Sequence, residues 1–273
     1  MLKRIQHAIT VCRAVAFVTY KEWSAYRTHS MVSVFVGPVY FVVQYFIWTA
    51  VYGGAETLNG ITHAQMIRYF GVSALIGYLT MDSADWNLSM LIRTGKFLTF
   101  ALRPLNHRFF ALSQKIGHRA LGFIFEFLPC LLIFTLLFRV DMRPAHFGWA
   151  ALSVAFAYLM QFYVNYCIGM ASFWFVQSEG IRSVYWLLGS IFSGMLIPLV
   201  FFPRPMQWLL FFLPFQYTSY VPAMVFLGNY ALGGVQLPIP AIVAVQGAAV
   251  LIAYMVSELL YSAAMKRFTA VGA

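Results

Sequence analysis

Apolar residues fill this chain in runs of about 20, and the runs do not alternate with polar residues as strands do. They cover about residues 31–52, 68–88, 121–138, 149–175, 183–201 and 239–264. A helix needs roughly 20 residues to cross a ~30 Å hydrocarbon layer, and each run has about that length. A membrane β-barrel would show short alternating segments instead. The pattern predicts an all-α integral membrane protein with six transmembrane helices.

The segments between the runs carry their own patterns. In residues 1–29, Ile5, Ile9, Cys12 and Ala16 recur at helical spacing, while Lys3, Gln6, Thr10 and Arg13 take another face. That suits a helix lying in the membrane interface. Trp23 and Tyr26 fit the aromatic belt before the first span. About thirty mixed residues ahead of that span are too many for the n-region of a cleavable signal. Residues 202–234 are apolar but broken by Pro203, Pro205, Pro214 and Pro222. No piece there is long enough to cross, so a re-entrant helical hairpin on the outer side is expected.

Residues 89–119 stand apart. They hold Arg93, Lys96, Arg103, Arg108, Lys115 and Arg119, with no Asp or Glu, and Gly95 and Pro104 punctuate them. Apolar residues interleave with the charges. A basic, partly amphipathic loop between spans stays in the cytoplasm. Its apolar side needs either the membrane surface or a protein partner to cover it.

Composition agrees with a membrane protein. The chain is 62% hydrophobic and 10% charged, against about 25% charged in soluble domains. The net charge of +10 belongs to the inner segments and does not argue for nucleic acid. The alternating topology leaves only Arg68, Arg139, Arg143 and Arg204 outside, so both termini are placed in the cytoplasm. Cys12, Cys130 and Cys167 have no CxxC spacing and read as packing residues.

Several polar residues lie inside the runs. Asp82 and Asp85 are three apart and so fall on one helical face of the second span, and Glu126 lies in the third. Each reads either as an ion or proton site or as a structural partner of a basic residue. Tyr158, Gln161 and Asn165 form a stripe in the fourth span that either bonds another helix or lines a path. Gly189, Ser190, Ser193 and Gly194 allow close helix approach in the fifth. Known chemistry is missing. Gly95-Lys96 is followed by Phe97 where a phosphate-binding loop needs Ser or Thr, so no Walker A loop exists. No HExxH, metal-ligand or GxSxG spacing occurs, so no catalytic, cofactor or metal residue is assigned.

The order of segments resembles the membrane subunits of ABC exporters of the compact six-helix ABC-2 type. Ile92, Gly95, Leu102, Arg103, Pro104 and Leu105 resemble an I-x-x-G…L-R-P-L pattern before the third span of one branch. Pro198, Phe202-Pro203, Leu213-Pro214-Phe215, Pro222 and Leu227-Gly228 are similar to that branch's segment before the last span. The resemblance covers essentially the whole chain. It implies a single permease domain over residues 1–273, multi-pass in the bacterial cytoplasmic membrane. It implies a separate ATPase dimer holding ATP and Mg, and a second permease half, identical or related. It also implies that Arg93, Gly95, Lys96, Arg103, Pro104, Leu105 and Arg108 couple to that ATPase. The competing expectation is an ion-coupled secondary transporter or channel using Asp82, Asp85 and Glu126.

Overall fold

The structure, a computed structural model, describes residues 2–24, 32–102, 106–175 and 178–267. Arg103, Pro104 and Leu105 of the expected coupling pattern lie outside the described residues. Among the described residues the architecture is helical. Its helices are α1 (Leu2–Ser24), α2 (Val36–Tyr52), α3 (His63–Thr80), α4 (Ala84–Arg93), α5 (Leu98–Ala101) and α6 (His107–Leu137). They continue with α7 (Phe147–Met170), α8 (Glu179–Phe192), α9 (Arg204–Phe212), α10 (Phe215–Thr218), α11 (Tyr220–Leu227) and α12 (Ile239–Arg267). Two small hairpins, Thr57–Leu58 with Ile61–Thr62 and Ala231–Leu232 with Val235–Gln236, sit between helices.

Among the described residues, three helices are long and apolar enough to cross a membrane: His107–Leu137, Phe147–Phe173 and Ile239–Arg267. Val36–Tyr52 is a shorter apolar helix of 17 residues. Two of the expected spans are interrupted. The second ends at Thr80 and restarts at Ala84, so Asp82 is not on a helix and does not share a helical face with Asp85. The fifth is helical only over Glu179–Phe192 before an irregular stretch around Gly194, whose φ is +88°. The third begins far earlier than hydropathy suggests, because its first turns carry Arg108, Lys115 and Arg119.

Local chemistry explains several boundaries. α3 starts on a capping box: the Gln65 amide donates to Thr62 Oγ1 (3.2 Å), and the Thr62 amide donates to Gln65 Oε1 (2.9 Å). α2 ends at Gly53 in the left-handed region, where a side chain would be strained. α6 widens into π turns at Phe123–Phe127 and Ile133–Leu137. The first precedes Pro129, whose missing N–H breaks the regular ladder.

The predicted outer and inner loops separate to opposite ends of the bundle. At one end Arg68 of α3 donates to the carbonyls of Asp141 (2.9 Å) and Arg143 (2.6 Å). There the Ala145 amide also meets the Phe226 carbonyl (2.9 Å). The opposite end gathers α4, α5, the start of α6 and the end of α12. The main core lies between, built on Phe41, Phe70, Phe134, Met160, Tyr220 and Ile242. α9 to α11 are each too short to cross, at 9, 4 and 8 residues. Tyr220, Val221, Ala223 and Val225 of α11 are nonetheless buried against α3 and α7.

α1 lies along the first half of α6. The helices approach closely at Gly117, where an added Cβ would stand 2.9 Å from Ala16 Cα and closer still to its carbonyl oxygen. Gly117→Val should therefore push the helices apart and cost about 1–3 kcal/mol. Thermal unfolding in detergent would read this as a lowered midpoint. Gly148→Ala, with open space around it, should leave the midpoint unchanged.

Candidate functional site

The polar residues of the predicted second span meet at a break in the helix. A helix that stops leaves carbonyls and amides without partners. At 81–83 the chain is extended at Met81 (ψ 126°) before α4 begins. Side chains from other helices take up the freed groups. Arg119 of α6 donates to the Tyr78 carbonyl near the end of α3. Lys115, one turn earlier, donates to Ser83 Oγ (2.7 Å). Asp82 Oδ2 accepts the Ala84 amide (2.9 Å), starting α4. Asn165 of α7 donates to the same carboxylate (3.1 Å) and to the Asp82 carbonyl (3.3 Å).

The predicted stripe on α7 feeds this break in part. Gln161 donates to Asn165 Oδ1 (3.1 Å), which orients its amide toward Asp82. The Tyr158 hydroxyl is buried and has no hydrogen-bond partner. Glu126, in the first π turn of α6, accepts from Ser33 Oγ (2.8 Å) and pairs with Arg119 at 3.5 Å, both side chains being buried. Asp85 pairs with Arg182 of α8 at 2.6 Å. Each of the three carboxylates thus bonds groups of its own chain.

The basic stretch divides into three parts. Arg93 ends α4 and pairs with Glu179 of α8 at 2.6 Å. Gly95 then turns the chain with φ +71°, and nothing crowds it. Lys96 is exposed. Phe97 plunges back: it is 1% exposed, with ring contacts to His107 (5.2 Å) and Phe173 (5.1 Å). α5 follows as a single turn with Leu98 and Thr99 exposed and the Phe100 ring on His107 (4.9 Å) and Phe110 (5.1 Å), and Leu102 beyond it is 78% exposed. Arg108 is not a loop residue. It is buried at the start of α6, donating to Ser257 Oγ (2.7 Å) and to Glu258 of α12, with its guanidinium 4.5 Å from the Tyr254 ring centre.

Sequence reasoning missed four things here. Lys115 and Arg119 read as loop charges, although Arg119 and Glu126 are seven apart and so on one helical face. Phe97 looked like any apolar residue of an amphipathic loop. The pairing of Arg93 with Glu179 is between residues 86 apart in sequence and left no local signal. Among the described residues no cluster of His, Cys, Asp or Glu is placed to hold a metal ion.

A bundle that includes long apolar helices, with most of its buried ionic groups gathered toward one end, is that of an all-α membrane protein. Residues 39–272 match the family described as ABC-2 family transporter protein. The chain belongs to that family, whose members are membrane subunits of ABC transporters and are generally non-catalytic. The family implies partnership with an ABC ATPase. Comparison with curated proteins and comparison with solved structures return no match.

The Arg119–Glu126 pair is tightly enclosed, and removing one member of such a pair typically costs about 3–5 kcal/mol. Arg119→Met should cost about 3 kcal/mol, because Glu126 and the Tyr78 carbonyl both lose a partner. Adding Glu126→Gln should recover part of that loss. Chemical denaturation of the single and double variants in mild detergent measures both steps.

Proposed function

We propose that this chain is the membrane-spanning subunit of an ATP-driven exporter in a bacterial cytoplasmic membrane. It crosses six times with both termini in the cytoplasm. Residues 202–234 form a re-entrant hairpin at the outer end. A separate ATPase dimer holds ATP and Mg, and a second permease half, a copy or a relative, completes the path. Membrane lipid surrounds it, and no nucleic acid is involved.

The observation that supports this reading best is the construction of the segment after α4. The turn Leu98–Ala101 exposes Leu98 and Thr99 and leads to exposed Leu102, while Phe97 is buried and Phe100 packs on His107 and Phe110 to seat it. A docking element needs that combination: apolar surface free to enter a partner's groove, and a rigid root to carry force inward. Leu102 and the basic residues Lys96 and Arg103 supply the contact surface. Arg93 and Arg108, both tied to other helices, transmit its movement to α8 and α12. Pro104 and Leu105 complete the docking pattern, and Gly95 supplies the turn.

In the cycle, ATP binding closes the ATPase dimer and displaces this element. The bundle responds through the break at 81–83, and the path between the two halves opens or closes. Such a ligand acts only through a difference in affinity for the two arrangements. No observation favours the ion-coupled alternative.

The test is co-purification with the ATPase and the ATP hydrolysis of the complex. Leu102→Glu with Arg103→Glu should reduce association with the ATPase by roughly tenfold or more, as loss of an interface anchor does, without changing membrane insertion. Phe97→Ala should weaken association similarly by loosening the root. Normal association and normal hydrolysis in all of these variants would refute the docking role.

A further inference from the structure

α8 is unusual among the helices of the bundle. None of its residues from Glu179 to Phe192 is buried. A helix held by packing buries one face, so something else fixes its start. Two ion pairs meet there. Asp85 Oδ2 of α4 lies 2.6 Å from Arg182 Nε, and Arg93 Nη1 of α4 lies 2.6 Å from Glu179 Oε1. Both helices run acid then base along the chain, Asp85 to Arg93 and Glu179 to Arg182, and because they pair antiparallel each acid faces the other helix's base. Asp85 and Glu179 occupy first helical turns and Arg93 a last one, so all three also suit their helix dipoles.

Between the pairs sits a hydroxyl cluster. Ser172 Oγ donates to Ser89 Oγ (2.8 Å), and Ser178 Oγ lies 2.7 Å from Ser172 and 3.1 Å from Ser89. All three serines are buried. Beside them is a cavity of about 20 Å³ that touches Asp85, Ser89, Arg93, Ser178, Glu179 and Arg182, room for about one water. Hydroxyls re-pair with water easily, and both ion pairs have a member open to solvent, Glu179 at 71% and Arg182 at 44%. An apolar seam would be costly to part in water. This polar seam is not.

We propose that the α4–α8 junction is a charge-coded, releasable latch. Closed, it fastens α8 to the helix that leads into the exposed segment. Open, it frees the start of α8 while the rest of the bundle stays packed. Its use in the transport cycle rests on the docking reading given above; the latch itself does not.

Amide hydrogen exchange at 180–186, in the full chain in lipid nanodiscs, tests it. Arg93→Glu alone and Glu179→Arg alone should each speed exchange there roughly fivefold, since each sets like charges opposite one another. The double swap should restore at least half of the protection, short of all because it reverses the favourable dipole placement. Unchanged exchange in the single variants, or a double swap as loose as the singles, would overturn the latch. In the complex with the ATPase, a non-hydrolysable ATP analogue should speed exchange at the same amides of the wild-type chain. No response in an intact complex would overturn release during the cycle. Failure of any ATPase to bind the wild-type chain would instead overturn the docking reading, with the swap result still deciding the latch.

Discussion

A helix cannot end inside hydrocarbon unless something else bonds the backbone groups it leaves behind. That constraint shapes the half of the bundle that holds α4. α3 stops at Thr80, and after a gap of three residues α4 sets off again. Arg119 and Lys115 from α6 and Asn165 from α7 converge on the gap and meet its carbonyls and side chains. The cost of bringing such charges out of water is offset only where each finds a partner. The partners follow in order: Glu126 for Arg119, Asp82 beside Lys115 and Asn165, Arg182 for Asp85. The placement of Lys115, Arg119 and Asn165 follows from that one interruption.

The interruption also divides the labour. Above it lies a close-packed core of aromatic and branched residues, joined at the far end by Arg68 and the Ala145–Phe226 contact. Dense packing of this kind does not deform gradually. Below it lies α4, held by hydrogen bonds and ion pairs, and then the exposed turn rooted by Phe97. In the proposed docking role, a force applied to Leu102 would reach Phe97 first, then α4, and then the polar joint.

Much of this was legible in the sequence, and the parts that were not have physical reasons. Long apolar helices announce themselves by composition, so α7 and α12 appear close to where hydropathy puts them. α6 begins about fourteen residues before its apolar run, because Arg108, Lys115 and Arg119 find partners in the bundle, Glu258, Ser83 and Glu126. The break after Thr80 contains neither Gly nor Pro; Ser83 is held off the helix by α6 and Asp82 by α7. The proline-rich stretch was easier, since Pro203, Pro205, Pro214 and Pro222 each bar an uninterrupted helix. Among the candidate site residues, the three carboxylates were visible as charges at depth. Their arginine partners lay 97 residues away for Asp85 and only seven away for Glu126, and distance of the first kind leaves no trace in a single sequence.

The central claim is that the exposed turn after α4 touches a nucleotide-driven subunit on the cytoplasmic side. A photo-activatable residue at position 102, illuminated in membranes of cells that also make the partner ATPase, tests it directly. The account predicts a covalent adduct between this chain and an ATPase carrying a Walker A loop, lost when the probe is moved to the opposite end of the bundle. An adduct with lipid alone, or labelling of position 102 from outside sealed cells, would contradict it.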